Sequence, residues 1–349
     1  MCKRFHYCTI RSVKNGVSKT LYEKGVLPIM NLAILLALVP ALAWGSVGLV
    51  NTKMGGSAAQ QTLGMTFGAL IFGLGTMFLY VMPNHAYMGR EIWTVGILSG
   101  LVWAVGTAGQ FLAIKDLGVS LAIPLSTAGQ IVANALMAAV VLGDWKTGKM
   151  WAIGIISIAA VVIGATLISA RDKALNSGIT GQAQAKSMTK GLIYLAISTV
   201  GFMIYFVLPN FLNKINYISD AIKNKNNGVD YMTAIVGPQA IGQVIGAFLI
   251  VIFVLKEADK MFAKPTWKNI LTGLVWAVGN IFMFISAANP AIGQTIATTF
   301  SQLGIIVATF GGIYLLGEKK SSYQMKLIIT GTILVVVGAI IIGNINNFV

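Results

Sequence analysis

The residues that could do chemistry are uncharged polar side chains, which recur on single faces of strongly apolar segments. Residues 117–143 carry Thr127, Gln130 and Asn134 at positions i, i+3 and i+7, which lie on one face of an α-helix. Residues 290–317 repeat the arrangement at i, i+3, i+4 and i+7 with Thr295, Thr298, Thr299 and Gln302. Amides and hydroxyls both donate and accept hydrogen bonds. Such faces suit a solute that carries a ring of hydroxyl groups.

Two further apolar segments place a tryptophan on the same face as polar side chains. They are residues 92–114, with Trp103, Thr107 and Gln110, and residues 269–288, with Trp276 and Asn280. Both tryptophans lie near the middle of their segments, although membrane tryptophans prefer the interface. A flat ring suits the apolar C–H face of a sugar. Two structural alternatives stay open: Ser, Thr, Asn and Gln often join transmembrane helices, and the tryptophans could be packing residues.

The elements that must position these residues are membrane-spanning helices. Of the 349 residues, 56% are hydrophobic and 10% are charged, and the mean hydropathy is +0.79. About 20 apolar residues cross the hydrocarbon core as a helix. Ten segments without Asp, Glu, Lys or Arg meet that length: 32–50, 62–82, 92–114, 117–143, 150–170, 191–213, 231–255, 269–288, 290–317 and 327–345.

The sequence also repeats itself over half its length. The stretch GLVWAVG occurs at 100–106 and at 273–279, LGDWK at 142–146 matches LGEKK at 316–320, and VVIGATLIS matches VVVGAIIIG. Each copy contains five predicted helices, and an odd number starts the second copy from the opposite side of the membrane. We therefore predict an all-α integral membrane protein with ten transmembrane helices in two inverted five-helix repeats, as in secondary transporters.

This repeat divides the chain into four parts. They are a leading polar segment, 1–29, the first repeat, 30–170, a central linker, 171–190, and the second repeat, 191–349. Met30 directly precedes the first apolar helix, so we expect translation to start there; a disordered basic arm is the alternative. The short connections through Lys115 and Asp116, and through Asn289, make helices 3 and 4, and helices 8 and 9, antiparallel hairpins.

Charge and residue types narrow the function. No charged residue lies inside a predicted span, which argues for a neutral solute. The net charge of +15 resides in loops and the leading segment, so we expect contact with the lipid bilayer and no nucleic acid. His6 and His85 lie outside the spans, and Cys2 and Cys8 lie in the leading segment. We therefore expect no enzyme activity, no metal site and no cofactor.

Membrane orientation depends on the start site. Beyond residue 30, the loops after odd-numbered helices hold 13 Lys and Arg and the others hold 6, which places both termini outside by the positive-inside rule. The six basic residues of the leading segment cancel this difference.

Three stretches carry a resemblance to a known family: ALVPALAWGSVGLVNTKMGGSAAQQTLGMTFGALIFG, IPLSTAGQIV and FSQLGIIVATFGGIYLLGEKKSSYQM. They resemble the bacterial glucose uptake proteins of the glucose/ribose porter family, in the drug/metabolite transporter superfamily, and the likeness runs from about Met30 to the C-terminus. The resemblance implies ten helices, a multi-pass location in a bacterial plasma membrane, and uptake of a monosaccharide, glucose or ribose, by proton symport.

A proton carrier must titrate, and the acidic candidates lie at helix ends: Asp116, Asp144 and Glu318. Asp116 is nearest to the predicted cavity, while Asp144 and Glu318 are repeat-equivalent and could form a gate or charge pairs with Lys146 and with Lys319 or Lys320. Facilitated diffusion without protons stays open. So do two other functions: an exporter of drugs or metabolites, and a sugar-binding membrane protein without transport.

Overall fold

A computed structural model describes residues 26–170, 180–288, 297 and 299–348, and within them the regular structure is helical. Ten helices make the bundle: α1 Val26–Met54, α2 Ala58–Thr76, α3 Arg90–Leu117, α4 Val119–Met137, α5 Gly148–Ser169, α6 Thr180–Lys214, α7 Val229–Leu249, α8 Ile270–Ala288, α9 Gly304–Tyr314 and α10 Ser322–Gly343. Five-residue π turns extend α2, α4 and α7.

Nine helices of the described ranges are long and apolar enough to cross a membrane. The tenth predicted span, 290–317, lies partly outside those ranges, and its described part contributes a shorter apolar helix, Thr299–Tyr314. Lys115 and Asp116, predicted to connect helices 3 and 4, instead form the last turn of α3. Gly118 alone joins α3 to α4.

Two helices begin with a capping box. Ser57 and Gln60 form a capping box at the start of α2, and Ser321 and Gln324 form another at the start of α10. In each box the serine hydroxyl accepts a backbone N–H while the glutamine oxygen accepts a second one. These contacts satisfy donors that a helix N-terminus leaves without partners.

The two halves of the chain pack mainly against each other. Helix α3 packs on α6 and α7, and α8 packs on α1 and α2. Likewise α4 packs on α6 and α9 on α1, while α2 pairs with α7, α4 with α9, and α5 with α10. In each of these pairs, the corresponding helices of the two halves make the same contact with their roles exchanged.

The first glycines of the two GLVWAVG copies occupy matching places. A Cβ on Gly100 would lie 2.1 Å from the Gln239 carbonyl oxygen on α7, and one on Gly273 would lie 2.2 Å from the Met65 carbonyl oxygen on α2. Each therefore lets its helix touch the backbone of the second helix of the other half.

The last glycines of the copies match as well. A Cβ on Gly106 would meet the Phe202 ring of α6 at 2.7 Å, and one on Gly279 would meet the Trp44 ring of α1 at 2.2 Å. Each glycine thus leaves room for an aromatic ring from the first helix of the other half.

The bundle has two ends, which we name by residues found there. At the Glu318 end, Glu318 contacts the start of α4, and Asn269, at the start of α8, donates to Gly55, just after α1. At the C-terminal end, Lys214 of α6 donates to Val141 beyond α4. The two ends therefore correspond to the two faces of the membrane.

Candidate functional site

A cavity of about 340 Å³ lies between the two halves, within the size range of small-molecule sites. Helices α1, α2, α3, α4, α6, α8 and α10 form its wall together with the stretch that leads into α9. Among the described residues that line it, none is charged. The wall combines apolar and aromatic groups with amides and hydroxyls, which is the composition that holds and orients a neutral polar molecule.

Ten of the predicted site residues line this cavity. They are Trp103, Thr107, Gln110, Thr127, Gln130, Asn134, Trp276, Asn280, Thr299 and Gln302. Thr295 and Thr298 lie outside the described residues. Side chains separated by up to about 200 positions in the sequence are therefore brought into one wall.

The aromatic part of the wall centres on the tryptophans of the two GLVWAVG copies. The Trp103 and Trp276 rings lie 5.2 Å apart between centroids, tilted by 55°. Phe202 meets Trp103 edge-on at 6.4 Å, and Phe72 meets Trp276 edge-on at the same separation. The Trp44 indole N–H donates to the Trp276 carbonyl oxygen at 3.1 Å. Each copy thus contributes one ring to a shared aromatic surface.

Two glutamines of the wall share a buried hydroxyl. The Gln110 amide nitrogen donates to Ser126 Oγ at 2.8 Å, and the Gln130 amide nitrogen donates to the same atom at 3.1 Å. Ser126 is fully buried and does not line the cavity. It fixes the orientation of both amides, so each retains a carbonyl oxygen for another donor.

Among the described residues of the wall, two buried side-chain atoms have no hydrogen-bond partner. They are Thr107 Oγ1 and Asn134 Oδ1, both buried. A buried polar group without a partner is costly, so these atoms are suited to a hydroxylated guest or to water. Thr299 differs, because its hydroxyl already accepts from the Asn344 amide at 3.2 Å.

The sequence did not indicate the aromatic contribution of α6 or the lining role of Ser301. Phe202, Tyr205 and Phe206 line the cavity at i, i+3 and i+4 on one face of α6. Aromatic residues in an apolar helix offer no contrast to the residues around them. Helix α1, the first helix of the other half, also contributes an aromatic residue to the wall, Trp44.

The three acidic candidates lie away from the cavity wall. Asp116 Oδ2 is buried without a hydrogen-bond partner at the end of α3. Asp144 is exposed at the C-terminal end. Glu318 binds the start of α4, and its Oε2 lies 3.6 Å from Lys320 Nζ. In the ranges the structure describes, no group of three His, Cys, Asp or Glu residues is placed to hold a metal ion.

Comparisons with known proteins find relatives over most of this chain. Residues 35–345 match the family described as Sugar transport protein. A protein of Lactiplantibacillus plantarum named for sugar uptake is 40% identical over 88% of this chain and 98% of its own length. A Priestia megaterium protein named for glucose uptake is 38% identical over 89% of this chain and 98% of its own length.

One solved crystal structure shares the fold. It matches with a TM-score of 0.53 and 13% identity, over 90% of this chain and 98% of the other chain. This likeness concerns the arrangement of helices and says nothing about what is transported.

Proposed function

The chain belongs to the sugar transport protein family, and we propose that it imports a neutral monosaccharide, with glucose the first candidate and ribose the second. The observation that carries the proposal is the uncharged, aromatic and amide-rich wall of the cavity between the halves. Sugar hydroxyls exchange water for the amides and hydroxyls, and the sugar's C–H face lies on the Trp103–Trp276 surface.

Transport proceeds by alternating access in a bundle of two inverted repeats, residues 30–170 and 191–349, joined by the linker 171–190. The exchanged packing of corresponding helices supports this arrangement. So do the matched contacts of Gly100 with α7 and of Gly273 with α2. In such transporters one repeat rocks against the other around a site near the membrane midplane.

Proton symport drives accumulation, and Asp116 carries the proton. The support is its carboxyl oxygen Oδ2, which is buried at the end of a membrane helix and has no hydrogen-bond partner. Asp144 is exposed, and the Glu318 carboxylate is occupied by helix α4.

Binding of radiolabelled sugar to the purified protein in lipid nanodiscs tests the site. Gln130→Leu and Gln302→Leu should each weaken glucose binding by about tenfold, because a hydrogen bond to a half-buried amide is lost. Gln243→Leu is the matched control. That glutamine is buried, its amide atoms have no partner, and it does not line the cavity. Unchanged binding in both cavity variants would mean that the sugar does not bind in this cavity.

A further inference from the structure

We infer that Glu318 is a positioning residue that holds the transporter closed at the Glu318 end by capping helix α4. The inference rests on the proposed function, because a closed end matters only in a protein whose two ends open in turn. Glu318 follows α9, in the connection to α10, and therefore joins the second half of the chain to the α3–α4 hairpin of the first.

The Glu318 carboxylate accepts three hydrogen bonds from the start of α4. Its Oε1 accepts the backbone N–H of Val119 at 2.7 Å and that of Ser120 at 3.1 Å. Its Oε2 accepts the Ser120 hydroxyl. The first N–H groups of a helix lack intrahelical partners and favour a negative charge. One side chain thus satisfies two backbone donors from 199 positions away.

The hairpin turn is shaped to receive this carboxylate. Gly118 occupies the N-cap position of α4, where a serine or aspartate side chain would normally cap the helix. Its φ of +82° favours glycine, and a Cβ there would lie 3.0 Å from the Glu318 carboxyl carbon and oxygens. Helices α2 and α10 carry their own serine caps. Helix α4 depends instead on a residue of the other half.

Beside the capped turn lies an apolar plug, part of a cluster that continues to the cavity-lining residues Met65 and Trp103. The plug consists of Leu49, Phe111, Ile114, Val119 and Leu316, which pack together at the Glu318 end. None of the five lines the cavity. Separating Glu318 from α4 would release the end of α9 from the α3–α4 hairpin, and the plug would then part between the halves.

The repeat-equivalent acid is in the opposite state. Asp144, in LGDWK, corresponds to Glu318 in LGEKK, and it is exposed at the C-terminal end. The cavity extends towards that same end, since it is lined by Thr299 to Ile305 before and in α9 and by Ala339 to Gly343 at the end of α10. The engaged acid thus marks the closed end and the exposed acid marks the end that the cavity approaches.

A buried cysteine reporter tests this inference. Ala122, near the start of α4, is fully buried, and Ala122→Cys is introduced into the full chain with Cys2→Ser and Cys8→Ser. In nanodiscs, where both ends meet solvent, a membrane-impermeant maleimide measures its labelling rate. Glu318→Ala should raise that rate about tenfold, the change expected when one charge-assisted contact favouring the closed state is lost. Asp144→Asn, the repeat-equivalent change, should leave the rate within about twofold.

Two further variants keep the test decisive. Glu318→Gln retains one acceptor for the backbone N–H groups but cannot accept the Ser120 hydroxyl through its amide nitrogen, so an intermediate rate is expected. Glu318→Asp keeps the charge and should restore slower labelling than Glu318→Ala. Equal rates in Glu318→Ala, Glu318→Gln and the parent would overturn the inference.

The result separates this inference from the proposed function. Faster labelling in Glu318→Ala without flux of either sugar through the parent would keep the closing role of Glu318 and reject the substrate. Unchanged labelling in Glu318→Ala, together with glucose transport by the parent, would reject the closing role of Glu318 and keep the substrate.

Discussion

The middle of the bundle and its two ends differ in how similar the environments of repeat-equivalent residues are. In the middle, Trp103 and Trp276 face each other, and the glycines of the two GLVWAVG copies meet corresponding helices. At the ends, Glu318 is bound to α4 while its equivalent Asp144 is exposed. Equivalent residues therefore share one environment near the cavity and have two different environments at the membrane faces.

A repeat protein of this kind can be symmetric near the membrane midplane but not at the two membrane faces. A site near the midplane is approached from both faces in turn, so both halves can contribute the same groups to it. A closing contact must be made at one face while it is absent at the other. Repeat-equivalent acids in two different environments are what we expect of an element with two states, which alternating access requires.

The largest effect is expected from the matched glycines. Gly100→Ala and Gly273→Ala should each lower the free energy of unfolding by about 3 kcal/mol, because the new Cβ meets a backbone carbonyl oxygen that cannot move away. Gly75→Ala, with no atom within 4 Å of its Cβ, is the control and should be neutral or stabilising. Thermal unfolding of the purified variants measures this. A large effect in one copy and none in the other would break the equivalence of the two copies.

The paired tryptophans should give the next largest effect. Trp103→Leu and Trp276→Leu should each reduce sugar uptake about tenfold, by removing one ring from the surface on which the sugar lies. Uptake rates at fixed protein abundance in the membrane report the change. Normal uptake in both variants would assign the rings to packing alone.

A further effect is expected at Asp116, the acid in the last turn of α3. Asp116→Asn should abolish proton-driven accumulation while equilibration of the sugar continues, because the amide cannot carry a proton through the cycle. Accumulation ratios measured with and without an inward proton gradient test this. Asp259→Asn, the same change at an exposed loop position of that end, should leave the ratio as in the parent. Retained accumulation in Asp116→Asn would place the proton elsewhere.

The smallest effect is expected at Ser126. Ser126→Ala should raise the half-saturating sugar concentration about threefold with little change in the maximal rate, because Gln110 and Gln130 lose the hydroxyl that orients them. Ser157→Ala is the matched control: its buried hydroxyl donates within α5, to the Ile153 carbonyl oxygen. A lower maximal rate with unchanged half-saturation would mean that Ser126 acts on movement of the helices instead.

Much of the site could be predicted from sequence because polar residues stand out in apolar helices. The i, i+3 and i+7 spacing of Thr127, Gln130 and Asn134 led directly to side chains of one wall. The aromatic residues of α6 gave no such contrast. Ser126 could not be assigned a role either, since its hydrogen bonds depend on how close α3 and α4 lie.

The fold was predictable at the level of helices and less so at their ends. Hydrophobic length identified the nine spanning helices in the described ranges. The turn between α3 and α4 lies at Gly118 and not, as predicted, at Lys115 and Asp116. The positive φ of Gly118 and the Glu318 carboxylate favour that position. The Glu318 contact joins residues 199 positions apart, and no local pattern records such a pairing. Glu318 was a candidate for a charge pair, and it does lie 3.6 Å from Lys320.

Uptake by the purified protein in sealed proteoliposomes tests whether it carries a monosaccharide by proton symport. Radiolabelled glucose and ribose are supplied outside, with and without an inward proton gradient, and empty liposomes are the control. We predict that glucose, or ribose in its place, accumulates above its external concentration only when the gradient is present. Equilibration that the gradient does not change would reject symport and leave facilitated diffusion. If thermal unfolding shows that the protein is folded and neither sugar enters the proteoliposomes, the proposed function is wrong.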